Sequence, residues 1–314
     1  MAEVVTFGES MGLLMPQFEK TLESSQTLEF SFGGAESNVA IGLSRLGHEA
    51  GWFGRLGSDP VGKKIAKQLR AEGVDVSRIV WDDGHATGMM MREVQYQEVS
   101  VYYHRKHSAA SHMVPADLDE AYIASAQILH VTGITPALSD NCLQTVREAI
   151  RMAKKHVVKV SFDPNLRLKL WDIAKAREVI WSLAEEADYF LPGFDELKLL
   201  LDESDWERMR PRLNELDAIS VVKGVERNTC IVQRSGVTSV PFMNVDNVVD
   251  TIGAGDGFCA GFLSGLLRGW PLEKAVQLAN VNGAMVIQMK GDWEAAPTWE
   301  LVKRRMENQA HIER

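Results

Sequence analysis

The sequence has little cysteine, no excess of positive charge and no long apolar run, and each shortage removes a class of protein. Its three cysteines, Cys142, Cys230 and Cys259, stand far apart, with no Cys-x-x-Cys pair and no Cys/His cluster, so neither a disulfide scaffold nor a zinc site is expected. Free, reduced thiols fit a cytoplasmic protein. Lys and Arg number 34 against 43 Asp and Glu, a formal net charge of −9, which argues against a nucleic-acid partner. No stretch approaches the roughly 18 apolar residues of a membrane span. The opening M-A-E-V-V-T-F-G-E-S has neither the basic nor the apolar segment of a secretory leader. A dinucleotide-binding G-x-G-x-x-G is also missing, since Gly8 leads into Glu9, Ser10 and Met11, which disfavours a Rossmann dehydrogenase.

What is present is an ordinary globular composition, 45% hydrophobic and 25% charged over 314 residues, ample for a large core. Short apolar runs at residues 4–8, 50–54, 127–131, 157–163, 188–191, 218–223 and 230–234 read as strands. Between them, helical patterns run over 38–47, 140–155, 174–187, 196–201, 205–216, 258–267 and 273–288. This alternation predicts an α/β fold of three layers, a mainly parallel central sheet covered by helices on both faces. Two segments, at about 11–32 and 87–106, carry strand patterns with no helix between them. They predict a small separate sheet that covers a cleft, inserted into a single domain spanning 1–314.

Two glycine-containing stretches carry the chemistry. The first is D-T-I-G-A-G-D-G-F-C-A-G at 250–261. Gly253, Ala254 and Gly255 have almost no side chain and precede a buried helix, so their N–H groups and the helix dipole make an anion site. Asp256 repels an anion and makes sense there as a base that accepts a proton from an attacking hydroxyl. A glycine turn capped by Asp256 accounts for the pattern without any ligand. The second stretch, G-G-A-E-S-N-V-A-I-G at 33–42, opens with Gly33 and Gly34, which admit close backbone approach to a ligand, and places Asn38 at a helix start. A flexible turn into a capped core helix explains most of that pattern too.

Together, in this order and at this separation, the two stretches resemble the paired signatures of the ribokinase-like (pfkB) carbohydrate kinase family, and the alternating pattern matches over nearly the whole chain. The resemblance implies ATP and Mg²⁺ as cofactors, an anion hole at Gly253, Ala254 and Gly255, and Asp256 as catalytic base. Further stretches, V-Y-Y-H-R-K at 101–106, G-I-T-P-A-L-S at 133–139, F-D-P-N-L-R at 162–167 and G-D-W-E at 291–294, resemble the 2-keto-3-deoxygluconate kinases. That likeness implies a sugar-acid site around Gly33, Gly34, Asn38, Met90, Tyr103, Arg105, Arg167 and Asp292. A substrate carboxylate gives Arg105 and Arg167 a physical purpose, because guanidinium pairs with carboxylate in a two-pronged geometry. The nucleotide side is implied at Asn165, Arg167, Lys223, Gly224 and Asn280, with Glu196 acting indirectly on the metal.

The sequence departs from the pattern at three places. Met90 stands where a tyrosine is expected, Arg227 replaces a glycine of the nucleotide loop, and Gly193 replaces the asparagine of an Asn-x-x-Glu motif. G-S-D-P-V-G-K-K at 57–64 nearly spells a phosphate-binding loop, but Lys64 replaces the required Ser/Thr, and a turn capped by Asp59 is expected instead. The expected reaction is phosphorylation of 2-keto-3-deoxygluconate at its terminal hydroxyl. The alternatives are a fructokinase or related sugar kinase, or a sugar- or nucleotide-binding regulator with little turnover. Association of subunits through the lid is expected, because an exposed sheet invites burial.

Overall fold

A computed structural model describes residues 2–308 except 18, 19, 96, 97 and 246. Its main sheet has eight strands in the spatial order Gly236–Pro241, Asn228–Gln233, Ile219–Val225, Tyr189–Phe190, Lys159–Asp163, Ile128–Thr132, Val4–Phe7 and Ala50–Phe53. The last six pair in parallel, and only the first two run antiparallel to their neighbours.

The strands bury both faces, and the period of two divides their side chains between two cores. Val5, Phe7, Leu129, Val131, Phe162 and Val222 point to one side. There they meet the helices Asp140–Lys155, Ile173–Ala184, Phe194–Leu201 and Trp206–Asn214. Val4, Trp52, Ile128, Val221 and Ile231 point to the other side, toward Ala35–Arg45, Pro60–Ala71, Ala254–Leu267 and Leu272–Val286. The three-layer reading therefore holds.

Small residues decide how closely the second group of helices packs. A Cβ at Gly261 or Gly265 would lie 2.8 or 2.5 Å from the backbone of Ala279 or Ala275. One at Gly42 would meet the Ala260 side chain at 2.7 Å. Close approach along these contacts draws the start of Ala35–Arg45 and the start of Ala254–Leu267 toward one point, where the site is built.

The second sheet has four strands in the order Leu28–Gly33, Met11–Pro16, Met89–Gln95 and Glu98–His104. Its two hairpins join in parallel between Gly12 and Met89. Met11, Leu13, Met15 and Met90 make a small apolar cluster, while Leu28, Phe30, Val94, Val99 and Tyr102 stay exposed. The predicted strands of the two insertions thus pair with each other. Pro60–Ala71 begins as expected, with the Asp59 carboxylate accepting the Gly62 N–H at 2.8 Å.

Several boundaries differ from the sequence-based expectation. Ala35–Arg45 starts three residues before the expected 38, and Ala254–Leu267 starts four before 258. Both helices begin within glycine-rich runs, whose low propensity hides a helix that tertiary packing holds. The strand Gly236–Pro241 was not expected at all, because it is a half-exposed edge with little alternation.

Candidate active site

A cavity of about 620 Å³ lies between the two sheets. Nearly all of the residues expected around sugar and phosphate line it, and it also reaches Glu9, Arg92, Asp163 and Thr251. Three expected residues are not part of this wall. Ala254 is turned into the helix start. Gly224 lies on a hairpin nearby. Asn280 has its amide engaged elsewhere, accepting from the Thr229 hydroxyl at 2.7 Å and donating to the Pro241 carbonyl at 3.1 Å.

The anion end is built by the first turn of Ala254–Leu267. Gly253 is the residue before that helix, at φ +77°, where a side chain is strained and a Cβ would also strike the Asp292 carbonyl at 2.6 Å. A Cβ at Gly255 would meet nothing within 4 Å, so this glycine faces open space in the cleft. Asp256 sits inside the first turn and not at the cap, so the capping alternative falls away. Its carboxylate accepts one hydrogen bond, from Asn38 Nδ2 at 2.8 Å. Protein packed around this carboxyl desolvates it and raises its pKa to about 7. The Asn38 bond works against that rise, and the Asp163 carboxylate adds to it.

The paired glycines of the second stretch have a different reason from the one expected. A Cβ at Gly33 would lie 2.2 Å from Asp292 Oδ2, and one at Gly34 would lie 2.3 Å from the Glu9 carbonyl. They are small because protein presses on them from behind.

Opposite the anion end, Arg105 leaves the last strand of the lid and forms an ion pair with the buried carboxylate of Glu9. Glu9 also accepts from the Ser108 hydroxyl, and the Arg105 guanidinium lies 5.3 Å from the Tyr103 ring centre. The Arg105 Nε is buried and has no hydrogen-bond partner among the described residues. Arg167 is exposed, with only the Leu166 carbonyl as acceptor among the described residues, at 3.3 Å, and its charge lowers the pKa of Asp256. Met90 fills its place in the lid wall with an apolar side chain.

A third group lies around Asp163. Asp163, 2% exposed, pairs with Lys223 Nζ at 3.3 Å. Burial opposes the Lys223 charge, but Asp163, Cys259 and Glu196 outweigh it and raise the lysine's pKa. Burial likewise raises Glu196, with the Asp163 charge adding to the effect. Both Glu196 oxygens accept backbone N–H groups, from Leu166 at 2.6 Å and Gly193 at 2.7 Å. Asn165, at φ +37°, keeps a buried and unpartnered Oδ1. The nucleotide-loop departure is accommodated in the backbone, because Arg227 itself adopts φ +63° in the tight turn between Ile219–Val225 and Asn228–Gln233.

The sequence reading missed Glu9, Arg92, Asp163 and Asp250. Arg92 was recoverable, since it follows Met90 by two on a strand and so shares its inward face. Glu9 and Asp163 carried the weaker signal of an acidic residue directly after, or ending, an apolar strand.

An α/β fold with a small covering sheet, and an acid beside a helix-start anion site, describe a phosphoryl-transferring sugar enzyme. The pfkB family carbohydrate kinase pattern matches residues 1–299, and the chain belongs to that family. It is 38% identical over 304 residues to 2-dehydro-3-deoxygluconokinase of Bacillus subtilis strain 168, covering 95% of this chain and 93% of that protein. It is 32% identical over 296 residues to 2-dehydro-3-deoxygalactonokinase of Haloferax volcanii, covering 93% and 92%. The crystal structure of a PfkB protein from Polaromonas sp. JS666 superposes with a TM-score of 0.88 at 37% identity, covering 96% of this chain and 99% of that one. The protein is a sugar kinase, an alcohol-group phosphotransferase. No helix among the described residues is long and apolar enough to cross a membrane.

Proposed function

We propose that the protein transfers the γ-phosphoryl group of ATP to the terminal 6-hydroxyl of 2-keto-3-deoxygluconate (2-dehydro-3-deoxygluconate), with Asp256 as the base. The observation that carries this reading is one cavity holding both an acid of raised pKa at a helix start and, on its remaining walls, Arg92, Arg105 and Arg167. The hydroxyl oxygen attacks the γ-phosphorus, the bond to the β–γ bridging oxygen breaks, and ADP leaves. The hydroxyl proton passes to the Asp256 carboxylate and from there to solvent. Backbone N–H groups at Gly253 and Gly255, which line the cavity, meet the charge on the transferring group, where fixed dipoles cost no reorganisation, while the Ala254 N–H donates to the Thr251 carbonyl at 3.4 Å. Lid residues over the cavity exclude water, the competing acceptor.

Mg²⁺ arrives on the nucleotide phosphates. No group of three or more His, Cys, Asp or Glu among the described residues forms a metal cage. Two hard carboxylates, Asp163 and Glu196, do line the cavity. That donor set fits a cation carried mainly by phosphate and water. With both its oxygens bonded to backbone N–H groups, Glu196 would act on such a cation indirectly.

The sugar-acid end is supported by Arg105, whose charge is only partly answered by Glu9. The 32% identity to the Haloferax galactono-enzyme makes the C4 epimer of the substrate the second reading. The exposed apolar side chains of the lid favour a dimer through that sheet, as a location in the cytoplasm favours free Cys142, Cys230 and Cys259.

The test is ADP release with ATP and Mg²⁺ on 2-keto-3-deoxygluconate, its galacto epimer, fructose and ribose, for wild type and Arg105→Ala. The expected result is preference for the keto acids, lost by about tenfold or more in the variant, as for a charge-assisted bond to substrate. Preference for fructose, indifferent to Arg105, contradicts the substrate assignment.

A further inference from the structure

Arg92 is a cation from the lid buried beside the anion site. It lies on Met89–Gln95, is 3% exposed, and lines the cavity on the same face as Met90. Its Nη1 donates to Asp292 Oδ1 at 2.8 Å, and its Nη2 lies 3.2 Å from Asp250 Oδ2. These two acids come from separate loops, and each holds one end of the anion site. Asp250 Oδ1 accepts the Ile252 N–H at 3.1 Å, shaping the turn that leads into Gly253. The Asp292 backbone carbonyl packs against Gly253, and its Oδ2 faces Gly33. Asp292 is desolvated and close to Glu294 and Asp250, and its pKa rises to about 6 even with Arg92 opposing that rise. The two carboxylates therefore depend on the guanidinium between them.

We propose that Arg92 is a positioning residue for phosphoryl transfer: by bridging Asp250 and Asp292 it ties the register of the Gly253–Gly255 loop to the seating of the lid. The inference rests on that loop being the phosphoryl site. A surface ion pair would do none of this, because exposed pairs contribute little and hold no geometry. A buried guanidinium with two carboxylates is different. Removing it leaves two charges uncompensated, and the planar fork spans both partners as a lysine cannot. The Nη2–Asp250 contact lacks hydrogen-bond alignment, since Nη2 has no hydrogen-bond partner among the described residues. That contact has room to tighten when the lid closes on substrate.

The test compares wild type with Arg92→Lys and Arg92→Met, recording kcat, KM for acceptor and ATP, and sugar phosphate formed per ADP released. Arg92→Lys keeps the buried charge and is the variant that must fold, checked by its circular dichroism and melting curve. The expected result is a kcat lower by about 10–100-fold, the range for a reacting group misplaced by an ångström. Acceptor KM should move by less than about threefold, the signature of an interaction made in the transition state. ADP should also exceed sugar phosphate, because a misaligned γ-phosphoryl passes to water. Unchanged kcat in folded Arg92→Lys, or a raised KM with kcat intact, would overturn the proposal. The ratios are taken with whichever acceptor wild type turns over. Failure of the 2-keto-3-deoxygluconate assignment then shows in the wild-type control, and failure of this proposal only in the variants.

Discussion

At the scale of single residues, the chemistry reduces to what surrounds three charges. Asp256 has one hydrogen-bond donor among the described residues, Asn38, and the protein around its carboxyl desolvates it and raises its pKa to about 7. A base must be ionised to act. With Asp256 as the proposed base, the rate is expected to rise as pH passes upward through 7 and to fall away below it. The expected kcat/KM profile has an acid limb near 7 that shifts upward in Asn38→Ala, since the bond that favours the ionised form is gone. A flat profile from pH 5 to 8 contradicts the assignment. Arg105 is tethered by Glu9 and Arg92 by two acids, so neither is a loose surface cation. Arg167 is exposed and can follow the ligand.

At the scale of elements, the sequence showed the alternation of strand and helix clearly, because two buried faces demand near-continuous apolar strands. Glycine-rich helix starts were hidden, as at residues 254–257, where packing against Leu272–Val286 and not propensity makes the helix. The stretch at Gly253, Gly255 and Asp256 was legible as a place on the cavity wall. The buried ion pairs were not, since Glu9–Arg105 and Arg92–Asp250–Asp292 join residues far apart in sequence, and no local spacing announces them. The paired glycines 33 and 34 were seen on the cavity wall, but not that their missing side chains also make room for Asp292 and the Glu9 backbone.

The lid sheet also carries a prediction. Its two outer strands, Leu28–Gly33 and Glu98–His104, are edges with exposed Leu28, Phe30, Val99 and Tyr102. Such edges are covered or charged in stable monomers. Sedimentation velocity should find wild type as a dimer and Leu28→Lys dissociating at concentrations where wild type does not. A monomeric wild type at micromolar concentration would remove the lid from the interface.

At the scale of the whole molecule, catalysis depends on two bodies meeting over one cavity. The main sheet supplies Asp163 and Lys223 and the helix Ala254–Leu267 packed on it supplies Gly255 and Asp256, while the small sheet and the residue after it supply Met90, Arg92, Tyr103 and Arg105. Binding draws on both. In the proposed mechanism proton removal draws on Asp256 alone, which makes the two separable. The raised pKa of Asp256 also has a sign for stability. The folded protein holds this proton more tightly than the unfolded chain does, so ionising it costs stability as pH rises toward and past 7. Replacing it with asparagine removes that cost.

The most direct measurement is turnover of Asp256→Asn at pH 8, alongside sugar-acid binding and melting temperature. The account predicts kcat lower by ~10²–10⁴-fold, the range for a positioned base, with binding within a few-fold of wild type and a melting temperature unchanged or raised. Turnover near wild type in a folded, sugar-binding Asp256→Asn would contradict it.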